Sequence, residues 1–197
     1  MPYRVFEPHI EILGAAVNAT VDGFGPFKSI VENLLLRGGL AQKRETGDTT
    51  VDLGGWYPQQ AWLDALHEVD ERFGANVLFK IGASIPKTAV FPPTVVDIHS
   101  GLASIDVAYH INHRRRGEVM FDDRNGSMLE GIGHYGYERV SDNEVMMRCW
   151  TPYPCRFDLG IVTSMARRFE PASAVVHGPN CRHHGAEACE YRVTWPR

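Results

Sequence analysis

The alternation of apolar and polar positions splits the chain into a first part with helical spacing and a second part that reads as strands. Residues 9–16 form a short mixed apolar stretch of no fixed period. Pro26 suits the first turn of a helix, where a missing N–H is tolerated, and Ile30, Val31, Leu34 and Leu35 follow at helical spacing. Gly38 and Gly39 end that helix, since glycine accepts the left-handed conformation found there. Residues 42–55 are polar and rich in Thr, Gly and Asp, which predicts an exposed loop. Pro58 opens the next helix, with Trp62, Leu66, Val69 and Phe73 on one face and Gly74 as its cap. An apolar run over residues 77–85 contains Gly82 and is expected to stop at Pro86. Pro92 and Pro93 mark a turn.

The spacing of Ile98, Leu102, Ile105 and Tyr109 predicts a helix over 95–114. Beyond Gly117 the period shortens to two. Residues 118–121, 127–130, 133–140 and 144–150 read as successive strands, with turns at 122–126 and 141–143, giving an antiparallel meander. A last amphipathic helix over 157–169 carries Phe157, Ile161, Met165 and Phe169 four apart, and two strands, 172–177 and 190–195, close the chain. The order predicts an α+β fold: a twisted antiparallel sheet flanked by helices, with a C-terminal zinc-binding hairpin and loop. We read residues 1–197 as one domain, mainly helical over 1–116 and formed by meander, helix and hairpin over 117–197.

Composition bounds this picture. With 44% hydrophobic and 22% charged residues in 197, the chain can bury an ordinary core. A net charge of −4 gives no footprint for nucleic acid. The one dense basic run, His113 to Arg116, fits a solvated helix end favoured by the helix dipole. The first residues lack the apolar core of a signal peptide, and no run nears the ~18 apolar residues of a membrane helix. The expectation is a cytoplasmic protein with neither membrane nor nucleic-acid partners.

Candidate chemistry gathers at the end. Cys155, Cys181 and Cys189 are three of the four cysteines, and His177, His183 and His184 lie among Gly, Pro and Asn. Thiolate and imidazole are preferred zinc ligands, and clustered Cys and His favour a metal over disulfides where disulfides are rare. Cys155, His177, Cys181 and Cys189 are the predicted Cys₃His set, one zinc per chain. A Cys181–Cys189 disulfide and plain burial of thiols are the competing readings. Cys149, inside a strand-like run, reads as buried packing. On the helix, His99, Asp106 and His113 are seven apart and His110 stands near them, so Asp106, His110 and His113 are candidates for lining a ligand pocket. Within Gly131–Tyr137, three glycines permit close approach of a backbone or ligand, and His134 and Tyr135 supply polar tips.

Cys181, Cys189 eight residues on, and the following Glu-Tyr-Arg-Val-Thr-Trp resemble the C-terminal end of the 4-vinyl reductase-type small-molecule-binding domains. Their superfamily includes haem–NO sensors, TRAPP-type transport subunits and the aromatic-sensing domains of phenol- and toluene-responsive activators. In the last group a zinc site uses three cysteines and a Glu. Cys155, Cys181 and Cys189 match those cysteines, while Gly178 stands where the Glu would be and His177 lies one residue earlier. His183, His184 and Glu187 stay open as fourth ligands. The resemblance implies a homodimer, a buried apolar pocket for an aromatic compound or tetrapyrrole, a histidine on a phenol hydroxyl and a structural zinc. The Tyr-x-Ser-x-Arg signature of the haem branch is absent. A zinc-dependent enzyme, an accessory protein of tetrapyrrole metabolism and an interaction scaffold are the alternatives. No catalytic residue is assigned.

Overall fold

A computed structural model describes residues 3–24, 28–91 and 93–196. The predicted helix start at Pro26 and the turn residue Pro92 lie outside the described residues. The ambiguous stretch near residue 10 is a strand followed directly by a helix. β1 (Ile10–Leu13) buries Ile10 and Ile12 and half-buries the residues between them. α1 (Gly14–Phe24) starts without a linker, at a glycine where a side chain would overlap the Asp52 carbonyl. α2 (Lys28–Arg37) follows. The polar segment after it forms one two-residue hairpin, β2 (Gln42–Lys43) with β3 (Thr49–Thr50), before β4 (Trp56–Pro58).

α3 (Gln59–Phe73) and α4 (Ala75–Thr88) meet at Gly74, whose φ of 77° only glycine holds without strain. The helix was expected to stop at Pro86, but α4 runs on to Thr88. In the last turn, proline forgoes one bond to the Gly82 carbonyl and ends little. Gly82 and Gly160 set the crossing of α4 and α6 (Cys155–Phe169). A Cβ at Gly82 would overlap the Phe157 carbonyl oxygen, and one at Gly160 would overlap the Phe79 carbonyl oxygen.

α5 (Ile98–Ile111) is shorter than its period suggested. At its start the Asp97 carboxylate accepts from the Ser100 N–H at 2.7 Å, and the Asp97 N–H donates to the Ser100 hydroxyl at 2.9 Å. This reciprocal cap fixes the first turn. At its end Asn112 donates to the Ala108 carbonyl at 2.7 Å and to the Val90 carbonyl at 2.9 Å. His113 to Arg116 is therefore not a solvated helix end. His113–Arg115 is strand β5, paired with β1, and Arg114 is bound to Glu11 at 2.6 Å.

The predicted single meander divides between sheets. β6 (Glu118–Val119) joins the first sheet, ordered β4-β1-β5-β6. β7 (Phe121–Asp122) and β8 (Ser127–Met128) pair only with each other. β9 (His134–Ser141), β10 (Glu144–Trp150), β11 (Ala174–His177) and β12 (Cys189–Thr194) make the second sheet, ordered β11-β12-β10-β9 and antiparallel throughout. Among the described residues there are six α-helices, and none is long and apolar enough to cross a membrane.

Because backbone rather than side chain opposes Gly82, Gly82→Ala should destabilise the fold by roughly 3 kcal/mol, the upper part of the overpacking range. The opposing carbonyl belongs to the first turn of α6 and cannot swing aside as a side chain would. Urea unfolding should therefore show a lowered midpoint with an unchanged slope.

Candidate ligand cavity and cysteine–histidine cluster

A cavity of about 40 Å³ lies among the helices, walled by Ile12 and His113 of the first sheet and Tyr135 of the second. Its wall is apolar over Ile12, Ala16, Ile105, Phe157 and Ile161, with aromatic rings from Trp62, Tyr109, Tyr135 and Tyr153. Its central polar feature is His113, brought there by the end of α5. The His113 Nδ1–H donates to the Tyr109 carbonyl at 2.6 Å, leaving the Nε2 lone pair inward. The Tyr153 hydroxyl donates to that Nε2 at 2.7 Å, and the Gln59 amide donates to the Tyr153 oxygen at 2.9 Å. Burial pushes the imidazole down to about 3, only partly opposed by the bond to the Tyr109 carbonyl, so the ring is neutral and an acceptor.

Behind this wall Asp158 is 1% exposed. It accepts from the Tyr135 hydroxyl at 2.5 Å and from the Thr151 hydroxyl at 2.8 Å. Burial raises its carboxyl to about 7 against those two stabilising bonds. Sequence reading missed Gln59, Tyr153 and Asp158. A signal existed for the last, since Asp158, Ile161, Val162 and Met165 share one helical face and an acid inside an apolar stripe is unusual.

Cys155, His177, Cys181 and Cys189 come together at the C-terminal end. Cys155 opens α6, His177 ends β11, Cys189 begins β12, and Cys181 precedes a short 3₁₀ turn over Arg182–His184. Cys155 Sγ lies 3.3 Å from Cys181 Sγ and 3.4 Å from Cys189 Sγ, with 4.0 Å between the last two. These are not disulfide distances of ~2.05 Å. They are near the ~3.8 Å that a tetrahedral ion bonded at ~2.3 Å imposes. The ligand atoms of all four residues lie within 4.8 Å of one another. His177 Nε2 is buried without a hydrogen-bond partner. The Cys155 hydrogen bond favours the thiolate at Cys189, and the Arg182 N–H reaches its sulfur at 3.4 Å. His183, His184 and Glu187 are exposed, and His183 bonds the Tyr153 carbonyl instead at 3.1 Å. Cys149 pairs in register with Cys189 in the sheet and is buried, with its thiol pushed well up by that burial.

The five residues predicted to line a ligand pocket separate into two places. His113 and Tyr135 line the cavity. Asp106, His110 and His134 do not, and gather on its outer side with donor atoms within 4.8 Å of one another. Gly133 has φ 83°, and a Cβ there would overlap the Trp150 carbonyl, so close backbone approach explains that glycine.

No protein-family model and no curated protein matches the chain. Solved structures do match in fold. A triply substituted H-NOX protein from S. oneidensis in the Fe(II) ligation state overlaps with TM-score 0.65 at 17% identity, over 94% of this chain and 97% of that one. The S. oneidensis protein in the Fe(II)NO state gives 0.64 at 16%, over 94% and 100%. The unliganded Fe(II) H-NOX protein from K. algicida gives 0.56 at 14%, over 94% and 97%. The fold is thus H-NOX-like.

This overturns zinc as the expected cofactor, because the neighbours of this fold are haem proteins, some studied for haem distortion and redox potential. Haem does not fit the residues present either. The cavity of about 40 Å³ is far below the ~300–1,000 Å³ of ligand pockets. Its one histidine has both ring nitrogens engaged. β9 carries Tyr135, Tyr137 and Arg139 at the Tyr-x-Ser-x-Arg spacing, but Tyr137 is bound to His99 at 2.8 Å and Arg139 to Asp142 at 2.9 Å.

Asp158 sets a pH dependence. The native carboxyl keeps a proton that the unfolded chain releases near pH 4, so stability falls as pH rises from about 4 to 7 and then levels. The contribution is up to roughly 4 kcal/mol. Urea unfolding of Asp158→Asn at pH 5 and pH 8 should show most of that difference gone.

Proposed function

We propose that this chain is a sensor-type binding domain for a small aromatic molecule carrying one hydroxyl. The observation that carries this is His113 Nε2, which lies 2.7 Å from the Tyr153 hydroxyl and 3.2 Å from the Gln59 amide at a largely apolar cavity. A neutral imidazole acceptor next to an amide donor suits a phenolic O–H, which donates once and accepts once. In the closed arrangement the Tyr153 side chain occupies these groups with its own phenol. A ligand therefore enters by displacing Tyr153, which stands between Pro152 and Pro154 on the turn leading into Cys155.

The reading extends to that turn. Cys155, His177, Cys181 and Cys189 hold a thiolate-preferring metal ion that ties the start of α6 to the β11–β12 loop, and the unpartnered His177 Nε2 supports this set. Four protein ligands leave no open position, which makes the ion structural. No atom of the arrangement calls for catalysis. The 4-vinyl reductase-type resemblance and a homodimer belong to the same reading.

Tyr153→Ala should cost about 3–5 kcal/mol by opening a cavity, and phenol should restore part of the loss. In thermal melts 1 mM phenol should raise the Tm of this variant, with no rise once His113→Ala is added. Absence of any phenol effect in both calorimetry and melting would sink the proposal.

Cys181→Ser should lose the metal found by elemental analysis of tag-free protein and lower the Tm. Chelation of the unmodified protein should lower it in the same direction. A metal-free protein with four reactive thiols and full stability would refute the structural ion.

A further inference from the structure

We propose that Asp106, His110 and His134 form a metal site separate from the cysteine cluster, suited to a divalent first-row transition ion that takes mixed nitrogen and oxygen ligands. The proposal goes beyond the phenol-binding reading and does not rest on it.

Both histidines have an acceptor at one ring nitrogen, as metal-ligating histidines do, and the His110 Nδ1 also lies 3.6 Å from Asp106 Oδ1. The His110 Nδ1 lies 2.8 Å from the Asp106 carbonyl oxygen, which only accepts, so the proton is on Nδ1 and the lone pair on Nε2. His134 Nε2 lies 3.1 Å from a Glu130 carboxylate oxygen, leaving Nδ1 to face Asp106 Oδ2 at 3.0 Å. Asp106 Oδ1 accepts from the Tyr135 N–H at 2.8 Å, while Oδ2 is the oxygen turned to His134. A carbonyl behind one histidine and a carboxylate behind the other are the outer contacts that fix tautomer and orientation in metal sites.

A second observation points to a ligand independently. The His110 side chain is fully buried, and its Nε2 has no hydrogen-bond partner. A buried polar atom left unpaired costs about 1–3 kcal/mol. Its ring lies 5.0 Å from the His134 ring, and one donor atom each from His110, His134 and Asp106 falls within 4.8 Å of the others. Among the described residues three buried side-chain polar atoms lack partners, and two are histidine nitrogens, His110 Nε2 here and His177 Nε2 in the cysteine cluster.

Two histidines and one carboxylate with no sulfur suit iron(II), cobalt(II) or nickel(II), and leave positions for water or a small anion. The competing arrangement is a protonated His134 bridging Asp106 and Glu130, with no ion.

The test is titration of tag-free full-length protein with Co²⁺ after preloading with one equivalent of Cd²⁺, which takes thiolates. Calorimetry counts the Co²⁺ bound, and absorption reports whether thiolate-to-cobalt charge transfer accompanies it. The expected result is one equivalent without charge transfer. Asp106→Asn, whose amide oxygen still accepts from Tyr135, and His134→Gln should each weaken it more than tenfold. Glu130→Gln should weaken it about tenfold through the outer contact. Circular dichroism melts confirm that the variants are folded. Binding only with charge transfer, no binding, or full binding in both Asp106→Asn and His134→Gln would overturn the site, and none of these bears on phenol binding.

Discussion

The close crossing of α4 over α6 is the constraint on which the rest depends. At Gly82 and Gly160 each helix backbone meets the carbonyl of the other, and no side chain fits between them. This nearness brings Phe157 and Ile161 to the cavity wall while Cys155, on the first turn of the same helix, reaches the β11–β12 loop. A wider crossing would move the cavity wall and the cysteine together. One packing contact thus positions both candidate sites.

Polar groups inside the fold are arranged so that nearly every one has a partner. Gln59, His113 and Tyr153 link α3, β5 and the turn before α6. Asp158, Tyr135 and Thr151 link α6 to the second sheet. Such networks are costly when incomplete and define one arrangement when complete. The two unpartnered histidine nitrogens stand out against that background, and each belongs to a group of potential metal ligands.

In this chain Trp62, Tyr109, Tyr135, Tyr153 and Phe157 line the space between helices and sheets, and about 40 Å³ remains. The same layers of helix and sheet can enclose a cofactor or close upon aromatic side chains, because side-chain volume rather than topology decides the space. Fold likeness consequently transfers architecture and leaves the ligand to the site.

Local signals in the sequence determined much of this. Apolar spacing placed α3, α6, β9 and β10, and glycine marked the ends at Gly38 and Gly74. Each depends on neighbours close along the chain or on residue types with few other uses. What only tertiary structure decided depends on distant partners. Asn112 bonding Val90 ended α5 early and turned His113 from a helix residue into a strand residue facing Tyr153. The same folding sent His134 to Asp106 instead of to the cavity. A periodic pattern states which face is buried, but which buried group meets which is settled by packing across the chain, and that pairing determines the chemistry.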